Sequence, residues 1–278
     1  MAVFQLDDPN DARIADYRNV PDAALLQRQQ AFVAEGRLVV RRLLESHRLV
    51  TRSVMLTEPA LEALGDVDLT GIPVYLVSQA VMNTVTGFNI HRGCLAIGER
   101  GIPLDWRRLT ATARRLVVLE RVANADNVGA IFRNAAAFGV DAVLLGPDCA
   151  DPLYRKAIRT SMGASLSIPF AHVSGWPDGL RHLRADGLHL MALTPCATPA
   201  SREAFRTTSA TSLREAATSE HVGRVALVAG HEGDGLSRET MNACDTLVRI
   251  PMAAGHDSLN VATAVAIALY ELFTNHDS

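Results

Sequence analysis

The feature that most constrains the fold is an alternation of strand-like and helical segments from Leu116 towards the end of the chain. Short aliphatic runs, "LVVLE", "DAVLLG", "SLSIPF", "LHLMALTP", "RVALVAG" and "TLVRIPM", are separated by stretches of helical character such as "NVGAIFRNAAAF" and "LYRKAIRTSMGA". A last helix follows "PMAAGHDSLN" and is apolar on nearly every side. Such alternation predicts an α/β fold with a mostly parallel sheet between layers of helices.

A smaller α/β region is predicted before this sheet. Residues 22–46, "DAALLQRQQAFVAEGRLVVRRLLES", are predicted as one helical run because apolar residues recur at three- and four-residue spacing. Strand candidates follow in "SVMLT", "PVYLVS" and "GCLAIGE", and "RGIPLDWRRLTATARR" has the turn-rich, aliphatic-poor composition of a linker. We therefore predict an N-terminal domain over residues 1–100, a linker over 101–115 and a second domain over 116–278.

Composition excludes several classes of protein. The 278 residues are 48% hydrophobic, enough for one large core or two modest ones. No apolar run reaches the ~20 residues of a membrane span, and the acidic N-terminus is unlike a signal peptide. From these two features we expect a cytoplasmic protein. The four cysteines are far apart without a C-x-x-C pair, so we expect reduced core thiols and neither a zinc site nor a disulfide framework.

The basic residues are unusual in kind and in distribution. Lys156 is the only lysine, and the net charge of the chain is −3. Arg37, Arg41 and Arg42 lie in a stretch with few acidic residues. Guanidinium groups bind phosphate in bidentate geometry, so these three arginines are candidate RNA contacts. An ordinary solvated helix face is the alternative.

Three loops are candidates for a ligand site, because ligands of parallel α/β sheets bind beyond the carboxyl ends of the strands. These loops are "ERVANADNVG", "AGHEGDGLS" and "PMAAGHDSLN". The chain has no G-x-x-x-x-G-K-[ST], no G-x-G-x-x-G after the first strand of this region and no G-x-S-x-G. P-loop NTPases and α/β-hydrolases are therefore disfavoured. The glycine-rich "GHEGDG" is by itself equally compatible with a tight turn.

Helical periodicity separates two polar residues from the core of "NADNVGAIFRNAAAFG". Val128, Ile131 and Ala135 form a buried stripe, and Arg133 projects away from it. Arg133 is either a solvated cation or a cation presented to a polyanion or a second subunit. Asn127, near the start of the helix, is either a cap or a ligand-binding amide.

Three separated blocks, in this order, carry a resemblance to a known family: "NVGAIFRNAAAFGVDAVLL", "LVAGHEGDGLS" and "IPMAAGHDSLNVATAVAIALYEL". They resemble the three motifs of the SpoU (TrmH) family of RNA ribose methyltransferases, in the SPOUT superfamily. The match spans most of residues 116–273. The segment "FVAEGRLVVRRLLES" is similar to the start of the small substrate-binding domain that many members carry.

The resemblance implies a fold, a cofactor and a reaction. The fold would be an α/β sheet with a deep trefoil knot near the C-terminus, and the protein would be a homodimer through its C-terminal domain. S-adenosylmethionine would bind in the knotted loops, and its methyl group would pass to a ribose 2′-hydroxyl of rRNA or tRNA. The catalytic positions that match the motifs are Asn127, Arg133, Glu232, Ser258 and Asn260.

The resemblance also implies a pocket for the methyl donor, formed mainly by backbone groups. Its residues would be Leu193, Thr194, Gly230, Ile250, Met252 and Leu259. A guanidinium is effectively never deprotonated in proteins, so we expect Arg133 to clamp an RNA phosphate and stabilise developing alkoxide charge. Ser258 and Asn260 are either substrate contacts or caps of the last helix.

Two other functions stay open at this point. A non-catalytic RNA-binding or ribosome-assembly protein would retain the fold without the reaction, although intact Asn127, Arg133, Glu232 and Asn260 argue against it. A hydrolase could use His231, Glu232, His256 and Asp257 as acid-base groups or metal ligands. These residues form two adjacent pairs, which is not the i, i+4 spacing of a helical metal site.

Overall fold

The computed structural model describes residues 2–18, 22–87, 90, 93–195, 210–218, 223–253 and 258–274. In these ranges the strands are β1 (Ala2–Leu6), β2 (Ala31–Glu35), β3 (Val50–Leu56), β4 (Pro73–Val77), β5 (Cys94–Glu99), β6 (Arg115–Leu119), β7 (Ala142–Leu145), β8 (Phe170–His172), β9 (His189–Leu193), β10 (Thr211–Ser212), β11 (Val225–Ala229) and β12 (Thr246–Arg249).

A 3₁₀ helix (Ala12–Tyr17) precedes the α-helices of the same ranges. They are α1 (Asp22–Gln29), α2 (Arg37–Leu44), α3 (Glu58–Glu62), α4 (Gln79–Thr86), α5 (Trp106–Thr110), α6 (Ala125–Ala137), α7 (Arg155–Thr160), α8 (Ala164–Ser167), α9 (Asp178–Ala185), α10 (Leu213–Ala217), α11 (Arg238–Ala243) and α12 (Val261–Thr274).

The chain forms two compact units, each with its own sheet. The first unit comprises Met1–Pro103 together with Pro152–Ser167, and the second comprises Leu104–Asp151 together with Ile168–Ser278. In the first unit, five described strands are ordered β1-β4-β3-β5-β2 in a mixed parallel and antiparallel sheet. In the second, seven described strands are ordered β10-β12-β9-β11-β6-β7-β8, and every pairing is parallel. The predicted α/β class with mostly parallel strands is confirmed.

The predicted single helical run over residues 22–46 is wrong in its middle. Ala31–Glu35 forms β2, which pairs antiparallel with β5, and its first four residues are buried. Gln30, at φ 51°, and Gly36, at φ 90°, adopt left-handed backbone conformations that separate β2 from the helices on either side. A short apolar run such as "AFVA" fits a buried strand as well as a buried helix, so periodicity alone does not distinguish them.

The division into units differs from the predicted domain boundaries in two places. Part of the predicted linker belongs to the second unit, because α5 begins at Trp106, which is 5% exposed and packs in the core of that unit. Residues 152–167, predicted within the second domain, belong to the first unit. There Arg42 donates a hydrogen bond to the Met162 carbonyl (2.7 Å). The predicted strand "SLSIPF" is also partly wrong, since its three first residues end α8.

The sheet of the second unit is buried on both faces. Every residue of β11 and residues 116–119 of β6 are buried, as expected for parallel strands between two layers of helices. Leu116 and Val118 point into a core that also contains residues of α5, α9 and α11. Helices α6 and α12 pack against each other. Because β12, β9, β11 and β6 are adjacent and parallel, their carboxyl ends are neighbours along one edge of the sheet.

Candidate active site

A cavity of about 330 Å³ lies beyond the carboxyl ends of β9, β11 and β12. This is the position predicted from the parallel-sheet rule. All six residues predicted to hold the methyl donor line it, together with Glu232 and Ser258. The described lining residues are Leu193, Thr194, Pro195, Ala229, Gly230, His231, Glu232, Gly233, Gly235, Ile250, Met252, Ser258, Leu259, Val261 and Ala264.

The loop after β11 folds back tightly on itself. The Gly235 N–H donates to the His231 carbonyl (3.0 Å), and the His231 Nδ1 accepts the N–H groups of Gly233 (2.9 Å) and Asp234 (3.2 Å). A Cβ on Gly230 would lie 2.7 Å from the Gly235 backbone, so this close approach requires glycine. "GHEGDG" is thus a compact turn that forms one wall of the cavity.

A hydrogen-bonded chain of three side chains joins the three motif segments. The Asn127 Nδ2 donates to the Glu232 Oε1, and the Asn260 Nδ2 donates to the Asn127 Oδ1 (3.0 Å). Asn127 is 8% exposed, whereas Glu232 is exposed. Because the amide of Asn127 can donate and accept at once, it fixes the other two side chains relative to each other.

Asn127 is not the cap of its helix. The N-cap of α6 is Asn124, whose side-chain oxygen accepts the Asp126 N–H (2.8 Å). Asn127 lies in the first turn, where its side chain is free to bind Glu232 and Asn260. Of the two roles open to Asn127, the capping role is therefore excluded.

Arg133 projects from α6 as the helical periodicity predicts. Its side chain is exposed, whereas Ile131 and Ala135 are fully buried. No hydrogen bond or ion pair joins the Arg133 side chain to another described residue. The guanidinium is therefore available to an external ligand within the described part of the chain.

Asn260 takes the capping role, one of the two that the sequence left open, and it also binds Asn127. Its Oδ1 accepts the N–H groups of Ala262 (3.0 Å) and Thr263 (3.2 Å), which caps the start of α12, while its Nδ2 binds Asn127. A second hydrogen bond joins α6 to α12, because the Asn134 Nδ2 donates to the Ala262 carbonyl (3.0 Å). Ser258 is exposed and lines the cavity. His256 and Asp257, weighed for a hydrolase, lie outside the described residues.

Glu120 is a polar residue of this region that motif reasoning missed. It follows β6 directly, is 2% exposed, and accepts hydrogen bonds from Ser237, Thr240 and Trp176. The sequence shows only that a carboxylate ends the apolar run "LVVLE" and begins the candidate loop "ERVANADNVG". Such a residue must find partners when buried, but the sequence does not say which.

The three arginines predicted to bind RNA lie on α2 of the first unit and differ in availability. Arg37 is exposed. Arg41 makes a bidentate pair with Asp66 (2.7 Å for both contacts), and these hydrogen bonds hold the pKa of the Asp66 carboxyl below its ordinary value. Arg42 donates to the Met162 carbonyl. The charge of Arg41 is therefore already matched within the chain.

The described residues contain neither a metal-binding cluster nor a membrane-spanning helix. No group of three or more His, Cys, Asp or Glu side chains in these ranges is arranged to hold a metal ion. No described helix combines the length and apolar character needed to cross a membrane.

Comparison with known proteins decides the family. The sequence profile of the SpoU rRNA methylase family matches residues 114–270, more than half of the chain. The chain belongs to the SpoU family. Members of this family use S-adenosylmethionine as their methyl donor.

Relatives of this SpoU protein are similar over nearly its whole length. An uncharacterized tRNA/rRNA methyltransferase of Mycobacterium tuberculosis (strain ATCC 25618 / H37Rv) is 42% identical over 272 residues, covering 95% of this chain and 89% of the relative. The 23S rRNA (guanosine-2′-O-)-methyltransferase RlmB of Escherichia coli (strain K12) is 29% identical over 258 residues, covering 89% and 93% respectively. The similarity therefore extends beyond the SpoU profile into the first unit.

A solved structure supports the same family at the level of the fold. The AdoMet-bound rRNA methyltransferase from Sinorhizobium meliloti superposes with a TM-score of 0.81 at 26% identity, over 99% of each chain. The cavity of the SpoU protein described here suits such a nucleoside ligand. Its volume is within the range of small-molecule sites, and it combines apolar side chains with backbone groups at strand ends.

Proposed function

We propose that this SpoU-family protein transfers the methyl group of S-adenosylmethionine to a ribose 2′-hydroxyl of rRNA or tRNA. The observation that carries the proposal is the hydrogen-bonded chain Glu232–Asn127–Asn260. It unites residues of all three motifs beside the cavity, and a motif match in sequence alone does not require such contact. The name of the Escherichia coli relative, a guanosine-2′-O-methyltransferase, supports the ribose as the acceptor.

The cavity is proposed as the methyl-donor site. Leu193, Ile250, Met252 and Leu259 supply apolar surface for an adenine ring, while Thr194 and Gly230 bring backbone groups to the ends of β9 and β11. When bound, S-adenosylmethionine supplies an electrophilic methyl group on a sulfonium centre. The protein contributes orientation, because transfer requires the ribose oxygen to lie in line with that methyl group.

Arg133 is proposed to act on the RNA and not as a base. A guanidinium stays protonated at any physiological pH, so it cannot accept the proton of the 2′-hydroxyl. It can clamp an adjacent phosphate in bidentate fashion and stabilise the negative charge that develops on the ribose oxygen. Its exposure and the lack of a partner among the described residues support this role.

Glu232, Ser258 and Asn127 are proposed to fix the acceptor side of the site. Asn127 donates a hydrogen bond to the Glu232 Oε1, which leaves the Oε2 for a substrate hydroxyl. Ser258 offers a hydroxyl at the wall of the cavity. Asn260 braces the arrangement by capping α12 and holding Asn127. We assign no general base among them.

The first unit is proposed to bind the RNA substrate. Arg37 and Arg42 are the preferred phosphate contacts of α2, since Arg41 is paired with Asp66. We also propose that the second unit forms the deep trefoil knot of the SPOUT superfamily and a homodimer in the cytoplasm. The exposed Ile267 (38%) and Tyr270 (56%) of α12 give a second subunit an apolar surface to cover.

A transfer assay tests the reaction. The purified protein is incubated with methyl-labelled S-adenosylmethionine and a mixture of unmodified rRNA and tRNA, and the RNA is digested to nucleosides. We expect the label on ribose, as 2′-O-methylnucleoside. Label on a base would contradict the proposed acceptor, and donor binding without transfer would favour a non-catalytic RNA-binding protein.

A further inference from the structure

We propose that Glu120 is a positioning residue that sets the loop of residues 230–237 against the methyl-donor cavity. The inference rests on the proposed function and extends it to a residue outside the three motif segments. Glu120 does not line the cavity, and it would act only through the loop that does.

The location of Glu120 follows from strand alternation. Leu116 and Val118 of β6 point into the core shared with α5, α9 and α11, and Glu120 continues that face two residues later. Its backbone N–H donates to the carbonyl of Ala229 (2.9 Å), the last residue of β11. The carboxylate thus lies where the loop leaves β11 and passes over the strand ends towards α11.

The carboxylate is fully engaged by hydrogen-bond donors. Its Oε2 accepts the Ser237 N–H (2.8 Å). Its Oε1 accepts the Ser237 hydroxyl (2.7 Å), the Thr240 hydroxyl (2.9 Å) and the Trp176 indole N–H (3.1 Å). Glu120 is 2% exposed, so water has little access to its carboxylate, and each lost bond weakens the hydrogen bonding of a buried carboxylate.

Two of the four bonds hold the end of the loop. Ser237 is the last residue before α11 and also its N-cap, so its bonds to Glu120 fix both the loop end and the helix start. Next to Glu120, Arg121 donates to the Gly235 carbonyl (3.3 Å). At the other end of the turn, Glu232 is bound by Asn127. The loop is therefore tethered on both sides, and Glu120 is its buried anchor.

Two partners of Glu120, Ser237 and Thr240, allow a role in positioning the loop to be distinguished from a role in stabilising the fold. Ser237 and Thr240 each donate a hydroxyl to the same carboxylate oxygen, but only Ser237 ends the loop. Ser237→Ala also removes the cap bond that the Ser237 Oγ accepts from the Thr240 N–H (3.2 Å), and Thr240→Val also removes the bond that the Thr240 Oγ1 accepts from the Trp176 indole (3.0 Å). Each variant therefore removes one donated and one accepted hydrogen bond, with different consequences for the cavity. Glu120→Gln keeps the side-chain shape, but only one of its two terminal atoms accepts hydrogen bonds, so at least one buried donor loses its partner.

The experiment measures the Kd for S-adenosylmethionine and the Tm of the full-length protein and these three variants. Glu120→Gln is expected to raise the Kd about tenfold, and Ser237→Ala about threefold. Thr240→Val is expected to lower the Tm about as much as Ser237→Ala while its Kd stays within about twofold of wild type. Amide exchange of residues 231–236 is expected to quicken in Glu120→Gln and Ser237→Ala only.

Equal Kd changes in Ser237→Ala and Thr240→Val would show that the cluster merely stabilises the fold and would overturn the proposal. Wild-type affinity in folded Glu120→Gln would also overturn it. If Glu120→Gln does not fold, the Ser237→Ala and Thr240→Val pair decides alone. Wild-type protein that binds no S-adenosylmethionine would instead refute the proposed function, and this inference with it.

Discussion

Asn127 donates a side-chain hydrogen bond to the Glu232 carboxylate across 105 residues of sequence. The same amide accepts a hydrogen bond from Asn260, so one buried side chain aligns two others, of which Glu232 lines the cavity. An amide suits this position because a carboxylate could not donate to Glu232 and a hydroxyl would be too short to span both partners.

Replacing Asn127 with Asp is expected to separate Glu232 from α6. Asn127→Asp places a carboxylate against a carboxylate, and we expect about 1–3 kcal/mol of lost stability with loss of methyl transfer. Thermal unfolding and a transfer assay measure the two effects. In the double variant Asn127→Asp/Glu232→Gln the hydrogen bond can re-form in the opposite direction, so stability should return while activity does not. Failure of the double variant to regain stability would argue against this pairing.

Arg133 is expected to require its guanidinium and not only its charge. Arg133→Lys should lower kcat by about ten- to a hundredfold, because an ammonium cannot make a bidentate contact to phosphate. The Kd for S-adenosylmethionine should stay unchanged, because Arg133 does not line the donor cavity. Near-full turnover by Arg133→Lys would make a bidentate clamp untenable.

Substitutions of Asn260 allow its bond to Asn127 to be tested separately from its capping of α12. Asn260→Asp keeps the oxygen that accepts the Ala262 and Thr263 N–H groups but loses the donor to Asn127. We expect a modestly lower Tm, because the Asn127 Oδ1 loses its donor, together with strongly reduced transfer. Asn260→Ala loses the cap as well and should cost about 1 kcal/mol more. Equal activity of Asn260→Asp and wild type would show that the bond to Asn127 has no part in the reaction.

The arginines of α2 should respond differently to truncation. Arg37→Ala is expected to weaken RNA binding for all sequences and to reduce the dependence of log Kd on log salt by about one, as for a lost phosphate contact. Arg41→Ala should change the salt dependence less, because its partner is Asp66. RNA titrations across salt concentrations measure both, and an unchanged slope in Arg37→Ala would remove it from the interface.

The described cysteines should react slowly in the native protein. Burial raises the pKa of Cys149 to about 11 and the pKa values of Cys94 and Cys244 to about 12. A raised pKa keeps the thiol protonated, so at about pH 8 the reactive thiolate is a thousandth of the population or less. In a Cys196→Ser background, labelling with a thiol reagent should be roughly a hundredfold or more slower than in denaturant. Rapid native labelling would contradict the raised pKa values of these thiols.

Sequence patterns predicted the parts of the fold that depend on local periodicity. Most strands of the second unit coincide with short aliphatic runs, and the outward face of Arg133 follows from helical spacing, but β8 begins later than predicted and β10 was not predicted. β2 was missed because "AFVA" has no period, and its strand form depends on pairing with β5, about 60 residues away. The grouping of residues 152–167 with the first unit likewise depends on long-range contacts such as Arg42 to Met162.

For the candidate site, the sequence predicted which residues take part but not the contacts between them. The motifs identified Asn127, Glu232 and Asn260, but not that they bind one another, because hydrogen bonds between distant residues have no signature in one sequence. The donor-pocket residues lie together because the strand order brings the ends of β9, β11 and β12 side by side. Glu120 could not be found, since its importance arises from three partners on other elements.

The most direct test of the central claim is a map of ribose 2′-O-methylation in total RNA. Cells with the protein, cells without it, and cells carrying Arg133→Ala are compared at nucleotide resolution. The account predicts one 2′-O-methyl mark in rRNA or tRNA that disappears without the protein and is not restored by the variant. Identical maps in all three strains, or loss of a base methylation only, would contradict it.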